Sequence, residues 1–418
     1  MRKLTLLFIM LLFIIIIKTG FAQTDSILFI GNSYTYVEDI PGKFKSLAES
    51  AGKSVFIDSY TPGGQTLQAH YSDAQTIAKI NAHQWKYVIL QEQSQMPYLY
   101  PQTTQQYANM IAFQYIKANN PCTEVVMYMT WARQAGEAWL TTIGKTHDEM
   151  ATYYENFYSN LWQYVPSRVS PVGAAFHIAT NNGINIYSGD GSHQNADGAY
   201  LSACVFYATL YKESPVGLTF SSASSNTIKD QLQQIAHDVV MNNFDKYNIN
   251  KVRWTMSTTN LLAGETVDFF EGTYMEPFPN KLEWTFEGAT PANSLAENPS
   301  GIKYDIAGNF NVTLKITDDC GYTETRTFTD TIKVQLNVGT ETIDKKSIQV
   351  YPTVLSSYNE AFQINGASDI ELRQLKIYTM DGKELNYKIN NQQISIQNIF
   401  SEIAIVSLPN YSSKIFIK

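Results

Sequence analysis

The sequence predicts an α/β domain, a parallel sheet covered by helices on both faces, followed by two smaller all-β modules. Three observations carry this. Five short apolar runs with little polar alternation recur between residues 26 and 176, the pattern of strands buried on both faces. Amphipathic stretches of helical length separate them. Past about residue 248 the helical periods stop and apolar and polar residues alternate instead, as they do in half-buried strands.

Taken in order, the strand candidates are SILFIG (26–31), SVFIDSY (54–60), YVILQ (87–91), EVVMYMTW (124–131) and RVSPVGAAF (168–176). The helix candidates are 39–52, 66–82, 102–119, 146–164 and, after the last run, 196–212. In NFNVTLKITD (309–318), Phe310, Val312, Leu314 and Ile316 share one face, which with turn residues between such runs points to a β-sandwich over 251–338. A polar stretch at 339–346 reads as a linker, and 347–418 alternates again around the hairpin signal MDGKE (380–384). The α/β block is therefore 23–250.

The first 22 residues belong to none of these. Arg2 and Lys3 precede an unbroken apolar stretch from Leu4 to Ile17, and Gly20-Phe21-Ala22 supplies small residues for cleavage. This is the anatomy of a secretory signal peptide, too short to read as a membrane-spanning helix. No further membrane span is expected after cleavage.

Composition narrows the class. With 38 acidic against 30 basic side chains the formal charge is −8, and no basic cluster follows the first residues, so nucleic acid is not an expected partner. The 418 residues are too many for one ordinary core. Cys122, Cys204 and Cys320 cannot all pair, and they read as buried free thiols, with a Cys122 to Cys204 bridge as the other reading. No Cys/His or His/carboxylate spacing in the sequence calls for a metal. His70, His83, His147, His177 and His237 share no spacing and read as surface or packing residues. No cofactor is implied.

In a covered parallel sheet, ligand-binding residues collect in loops beyond the carboxyl ends of the strands. Ser33 follows the first strand, Gly63-Gly64 the second, and QEQS (91–94) the third; DGSH (190–193) lies far downstream, ahead of a helix. A serine nucleophile needs a base, and the base needs an acceptor on its other nitrogen. Asp190 and His193 can supply both from one turn. The Ser33 and Gly64 amides, with the side chain of Gln93 or Gln95, would be the oxyanion donors. Trp131 and Arg133, at the end of the fourth strand, are candidates to line the substrate cleft. Each has a plainer reading: Ser33 as a helix N-cap, Asp190 as an Asx-turn residue, His193 as a solvated loop residue, Gly63-Gly64 as an ordinary turn, Trp131 as core.

FIGNSYT around Ser33, PGGQT around Gly64 and DGSHQNADGAYLSACVFY (190–207) resemble blocks of the SGNH, or GDSL-like, esterase and lipase superfamily. The resemblance covers roughly 23–245. It implies a flavodoxin-like three-layer α/β/α sandwich, with Ser33 as nucleophile and Asp190 and His193 as acid and base. One block departs: the usual G-x-N-D, whose Asn completes the oxyanion hole, is replaced by LQEQSQMP, the form of a branch with Q-E-Q-S there. The G-x-S-x-G elbow of α/β-hydrolases is absent. WTFEG (284–288) with KYDIAGNFNVTLKITDDCG (303–321) is similar to a PKD-type immunoglobulin-like domain. IQVYPT (348–353), LKIYTMDGKEL (375–385) and the terminal KIFIK resemble the C-terminal sorting domain of type IX secretion in Bacteroidetes. Together these imply a secreted or cell-surface esterase, exported by the type IX machinery and acting on an acylated polysaccharide. The reading that stands against it is a non-catalytic glycan-binding or adhesive protein on a degenerate domain.

Overall fold

The computed structural model describes residues 24–273, 279–336 and 348–417, the last without 352–353, 356–360, 366, 368, 380–381, 391–392, 398–402 and 409–410. The expected signal segment, the linker, and parts of the last block, including the first two residues of its hairpin turn, lie outside the described residues.

Strands β1 (Asp25–Ile30), β2 (Val55–Tyr60), β3 (Tyr87–Leu90), β4 (Glu124–Tyr128) and β5 (Ser167–Ser170) form one sheet in the order 2-1-3-4-5. All four pairings are parallel. This is the flavodoxin-like order. Every residue of β1 and β3 is buried, which explains their continuous apolar runs: helices cover both faces, so neither face selects polar side chains.

The helices are α1 (Ser33–Tyr36), α2 (Ile40–Ser50), α3 (Leu67–Ser72), α4 (Ala74–Asn81), α5 (Met96–Leu99), α6 (Pro101–Ile111), α7 (Ala138–Thr142), α8 (His147–Ser159), α9 (Val172–Asn181), α10 (Ala196–Tyr211) and α11 (Asn226–Met241). The expected helix 66–82 is two helices, because Asp73 leaves α3 with an extended backbone and caps α4 by accepting from Gln75 N. The run 168–176 is a strand only to Ser170. Pro171 then opens α9, whose first five residues, Val172 to Phe176, are all buried; an apolar, buried first turn shows no amphipathic period. Helix α11, packed on α10, went unforeseen.

Among the described residues beyond Ile249 the chain is β apart from one short helix, Asp369–Leu372. Strands Pro279–Phe286, Gly308–Asp318 and Thr323–Gln335 form the centre of a five-stranded sheet, facing a three-stranded one across a core of Trp284, Phe286, Tyr304, Val312, Leu314 and Ile316. Phe310 is only partly buried against that core, and the register shifts between it and Val312. The last block forms two further four-stranded sheets around Phe362, Ile377, Ile394, Val406 and Ile415.

The cysteines correct the expectation. Cys122, in the turn before β4, is disulfide-bonded to Cys320 in the hairpin turn of the second unit, and Cys204 alone is a free, buried thiol. Near that bridge, Lys212 pairs with Glu324 at 2.9 Å and Arg326 with Asp245 at 2.8 Å, so the α/β and first β units are joined covalently and by charge.

Candidate active site

The chain leaves β1 at Gly31, where β1 lies between β2 and β3 in the sheet. Such a switch in strand order opens a crevice beyond the carboxyl ends of the strands. The cap of α1 is Asn32, whose Oδ1 accepts from Tyr34 N at 3.1 Å, and the cap of α2 is Asp39. The Ser33 hydroxyl is therefore not occupied in capping either helix.

The turn that carries Ser33 is held from three directions. Gln91 Oε1 accepts from Asn32 N at 2.8 Å and from the Thr35 hydroxyl at 2.9 Å. The Gly31 carbonyl accepts from His70 Nε2–H at 2.9 Å, and Asn32 Nδ2 donates to Gln65 O at 2.9 Å. A Cβ at position 31 would lie 2.5 Å from Gln91 Oε1, so any side chain there displaces the amide that fixes the turn. His70 is fully buried, and that burial pushes its ring pKa down. It is thus a neutral ring, donating to Gly31 and accepting from the Thr76 hydroxyl at 2.7 Å.

DGSH folds as a tight turn ahead of α10. The structure brings Ser33, His193 and Asp190 into one hydrogen-bonded line: Ser33 Oγ lies 2.8 Å from His193 Nε2, and His193 Nδ1 lies 2.6 Å from Asp190 Oδ2. The other carboxylate oxygen accepts from Ser192 N and His193 N, each at 2.9 Å, and from the Ser188 hydroxyl at 2.8 Å. Partial burial of Asp190 opposes ionisation, but bonds from the His193 ring, the two amides and Ser188 outweigh it and hold the carboxyl well below the usual range. An ionised Asp190 fixes the proton on Nδ1. Nε2 then presents its lone pair to the Ser33 hydroxyl, an arrangement able to take that proton.

Trp131 does not line the cleft. It is fully buried, stacked between Tyr34 at 4.4 Å and Phe176 at 4.1 Å, and its Nε1–H donates to Ser192 O at 2.9 Å. Tyr34 in turn bonds Ser192 Oγ at 2.8 Å and sets its ring edge-on to His193. These two aromatics are the floor beneath the histidine loop. Arg133 is buried too: its Nη2 donates to Ser94 Oγ at 3.0 Å and its guanidinium lies over Tyr34 and Trp139. Its contacts brace the Q-E-Q-S loop from within.

Gly64 is exposed and has φ +69°, a left-handed conformation that explains glycine there. The Asn32 to Gln65 bond ties its loop to the Ser33 turn. The Gln93 side chain turns back on its own loop: Oε1 accepts from Gln95 N at 2.8 Å and Nε2 faces Gln95 Oε1 at 3.4 Å. Sequence reasoning missed the neighbour, Glu92. It is buried, and one of its carboxylate oxygens accepts from Leu67 N at 2.9 Å and Gln93 N at 2.7 Å, while the other faces the Thr104 hydroxyl at 3.3 Å. Glu92 thus clips the loop after β2 to the loop after β3. Burial, opposed by those bonds, pushes its carboxyl up to about 7.

An α/β sheet in flavodoxin-like order, with a serine, histidine and aspartate in line at its switch point, is the class that fold and site define. No family model matches the chain, and no curated protein matches it. Among solved structures, a DUF4886 family protein from Bacteroides uniformis is similar, at 20% identity over 52% of this chain and 95% of that one, TM-score 0.47. A protein from Slackia heliotrinireducens, provisionally assigned as an SGNH hydrolase, is 26% identical over 44% of this chain and 97% of its own, TM-score 0.38. A variant of an acetyl xylan esterase from Geobacillus stearothermophilus is 12% identical over 47% and 96%, TM-score 0.33. These are likenesses; the fold assignment rests on the sheet order itself.

Proposed function

We propose that the chain is a secreted serine esterase. The observation that carries this reading is the unbroken line from Asp190 through His193 to the Ser33 hydroxyl. His193 takes the Ser33 proton as Ser33 attacks an ester carbonyl, and Asp190 keeps the imidazole in the required tautomer. The Ser33 and Gly64 amides, with the Gln93 side chain once it swings out from Gln95, stabilise the tetrahedral oxyanion. The same histidine then activates water, which releases the acid and restores Ser33.

The substrate class we favour is an acyl or acetyl ester on polysaccharide. Two features support a bulky, sugar-bearing substrate. The His193 and Asp190 side chains keep 29% and 48% of their exposure, so the relay lies open at the surface and not in a closed pocket. Tyr36, half exposed with its hydroxyl close over Gly63, offers a ring face beside the cleft. The PKD-like module, the sorting-domain resemblance and the signal-like N-terminus fit export by the type IX route to the cell surface or medium.

The test is hydrolysis of p-nitrophenyl acetate and of acetylated xylan by the purified chain, beside Ser33→Ala. Activity on either substrate that disappears in the variant is the expected result. A folded parent that hydrolyses neither, nor longer acyl esters, and resists serine-directed phosphonates would overturn the proposal in favour of a glycan-binding role.

A further inference from the structure

A second cluster of chemistry-bearing side chains lies behind the active-site floor, where the start of α8 meets α9. His147 is the first residue of α8 and is 7% exposed. Its Nδ1 lies 2.8 Å from the Arg133 carbonyl oxygen. A carbonyl oxygen can only accept, so Nδ1 carries the proton, and in the neutral ring Nε2 is left with a bare lone pair. That Nε2 is buried and has no hydrogen-bond partner among the described residues. A buried polar atom left without a partner costs free energy, so its retention calls for one.

What faces it is suited to a cation. His177, on α9, brings its ring to 5.5 Å from the His147 ring, centroid to centroid. Its Nε2 lies 2.9 Å from Asp148 Oδ1. One ligand atom from each of His147, Asp148 and His177 falls within 4.8 Å of the others. Around a zinc-sized ion, ligand atoms about 2.0–2.2 Å from the metal stand a little over 3 Å apart. The Asp148 side chain, 71% exposed, is free to close that gap by rotating. Its carboxylate also supplies negative charge where the dipole of α8 alone would repel a cation.

We propose that His147 Nε2, a ring nitrogen of His177 and the Asp148 carboxylate form a binding site for a divalent cation of the zinc class. Two imidazoles and a carboxylate are a borderline donor set of the kind that selects zinc and its neighbours over magnesium or calcium. Three protein ligands leave a fourth, solvent-facing position. The Nδ1–H to Arg133 carbonyl bond is the outer-shell contact that fixes tautomer and ring orientation in metal-bound histidines. The ion would clamp α8 to α9 and, through that carbonyl, steady Arg133, whose guanidinium contacts Ser94 and lies over Tyr34. It takes no part in ester chemistry, so this inference stands whether or not the esterase reading does. Local spacing does not reveal the site, because His177 is 30 positions from His147 and only helix packing joins them.

The experiment uses the full chain stripped with a chelator, then titrated with Zn²⁺, with stoichiometry read by elemental analysis and affinity by calorimetry; Co²⁺ replaces Zn²⁺ for the visible spectrum of a low-coordinate site. The expected result is one equivalent of tightly bound Zn²⁺, a raised melting temperature in its presence, and affinity reduced about 100-fold or more in His177→Ala. His177 is partly exposed, so that variant keeps its fold, and Asp148→Asn, at a surface position, provides a second with an intermediate loss. Failure of the parent to bind would overturn the site. So would equal binding by both variants, which would place the ion on other histidines.

Discussion

Glu92→Gln isolates the one buried carboxyl that joins two active-site loops. In the folded chain its pKa is about 7, against an ordinary value of 4.5. A carboxyl raised in this way keeps its proton in the folded state after the unfolded chain has lost it. Its contribution to stability is therefore greatest below about pH 4.5, falls as pH climbs to about 7, and stays low above that. At about 1.36 kcal/mol per pH unit, the whole change is about 3 kcal/mol. Glutamine has nearly the same shape as the protonated acid. Its Oε1 can still accept from Leu67 N and Gln93 N, and its amide can donate to Thr104, yet it never ionises. Urea unfolding of parent and variant should thus give similar stabilities near pH 4 and a variant more stable by about 3 kcal/mol near pH 8. A difference that stays within about 0.5 kcal/mol across that range would refute the claim that Glu92 ionises at a cost inside the fold.

Two other perturbations probe the relay and the joint between units. Asp190→Asn removes the acceptor facing His193 Nδ1; an amide donor there turns the imidazole to the wrong tautomer, and kcat for ester hydrolysis should fall by about 10⁴-fold with little change in the folded state. A fall of less than tenfold would mean that Asp190 is not what holds His193. Cys320→Ser, which opens the Cys122–Cys320 bridge, should lower stability by about 2–4 kcal/mol. Thiol titration of the denatured, unreduced parent should find one free thiol, Cys204, and a count of three would refute the pairing.

Legibility in the sequence followed the range of the interactions involved. Strands β1 and β3 were readable because burial on both faces leaves a continuous apolar run. DGSH was readable because acid and base share one turn. By contrast, α9 hid inside an apolar run, since its first five residues are all buried and nothing there marks a helical period. Trp131 could not be assigned to floor or cleft without knowing that Phe176 and Tyr34 sandwich it. The Cys122 to Cys320 pair spans 198 residues, and nothing local announces it. Glu92 could be quoted from Q-E-Q-S, but its raised pKa arises from burial, which a tetrapeptide does not encode.

The same division runs through the site itself. The groups proposed to react sit in two short motifs, yet their alignment is set by residues outside them. Ser33 points at His193 because Gln91 after β3, Gln65 ahead of α3 and His70 within α3 fix the turn before it. His193 meets it because Tyr34 and Trp131 hold Ser192 from below. Each support is a neutral hydrogen bond or a stacked ring, and none engages the Ser33 hydroxyl, which faces His193. A turn held this firmly leaves little backbone reorganisation when a hydroxyl proton moves, which is the condition under which fixed dipoles accelerate acyl transfer. The Q-E-Q-S loop fits that logic: Gln91 secures the Ser33 turn and Glu92 secures the glycine loop, so the third loop acts first as a scaffold for the other two.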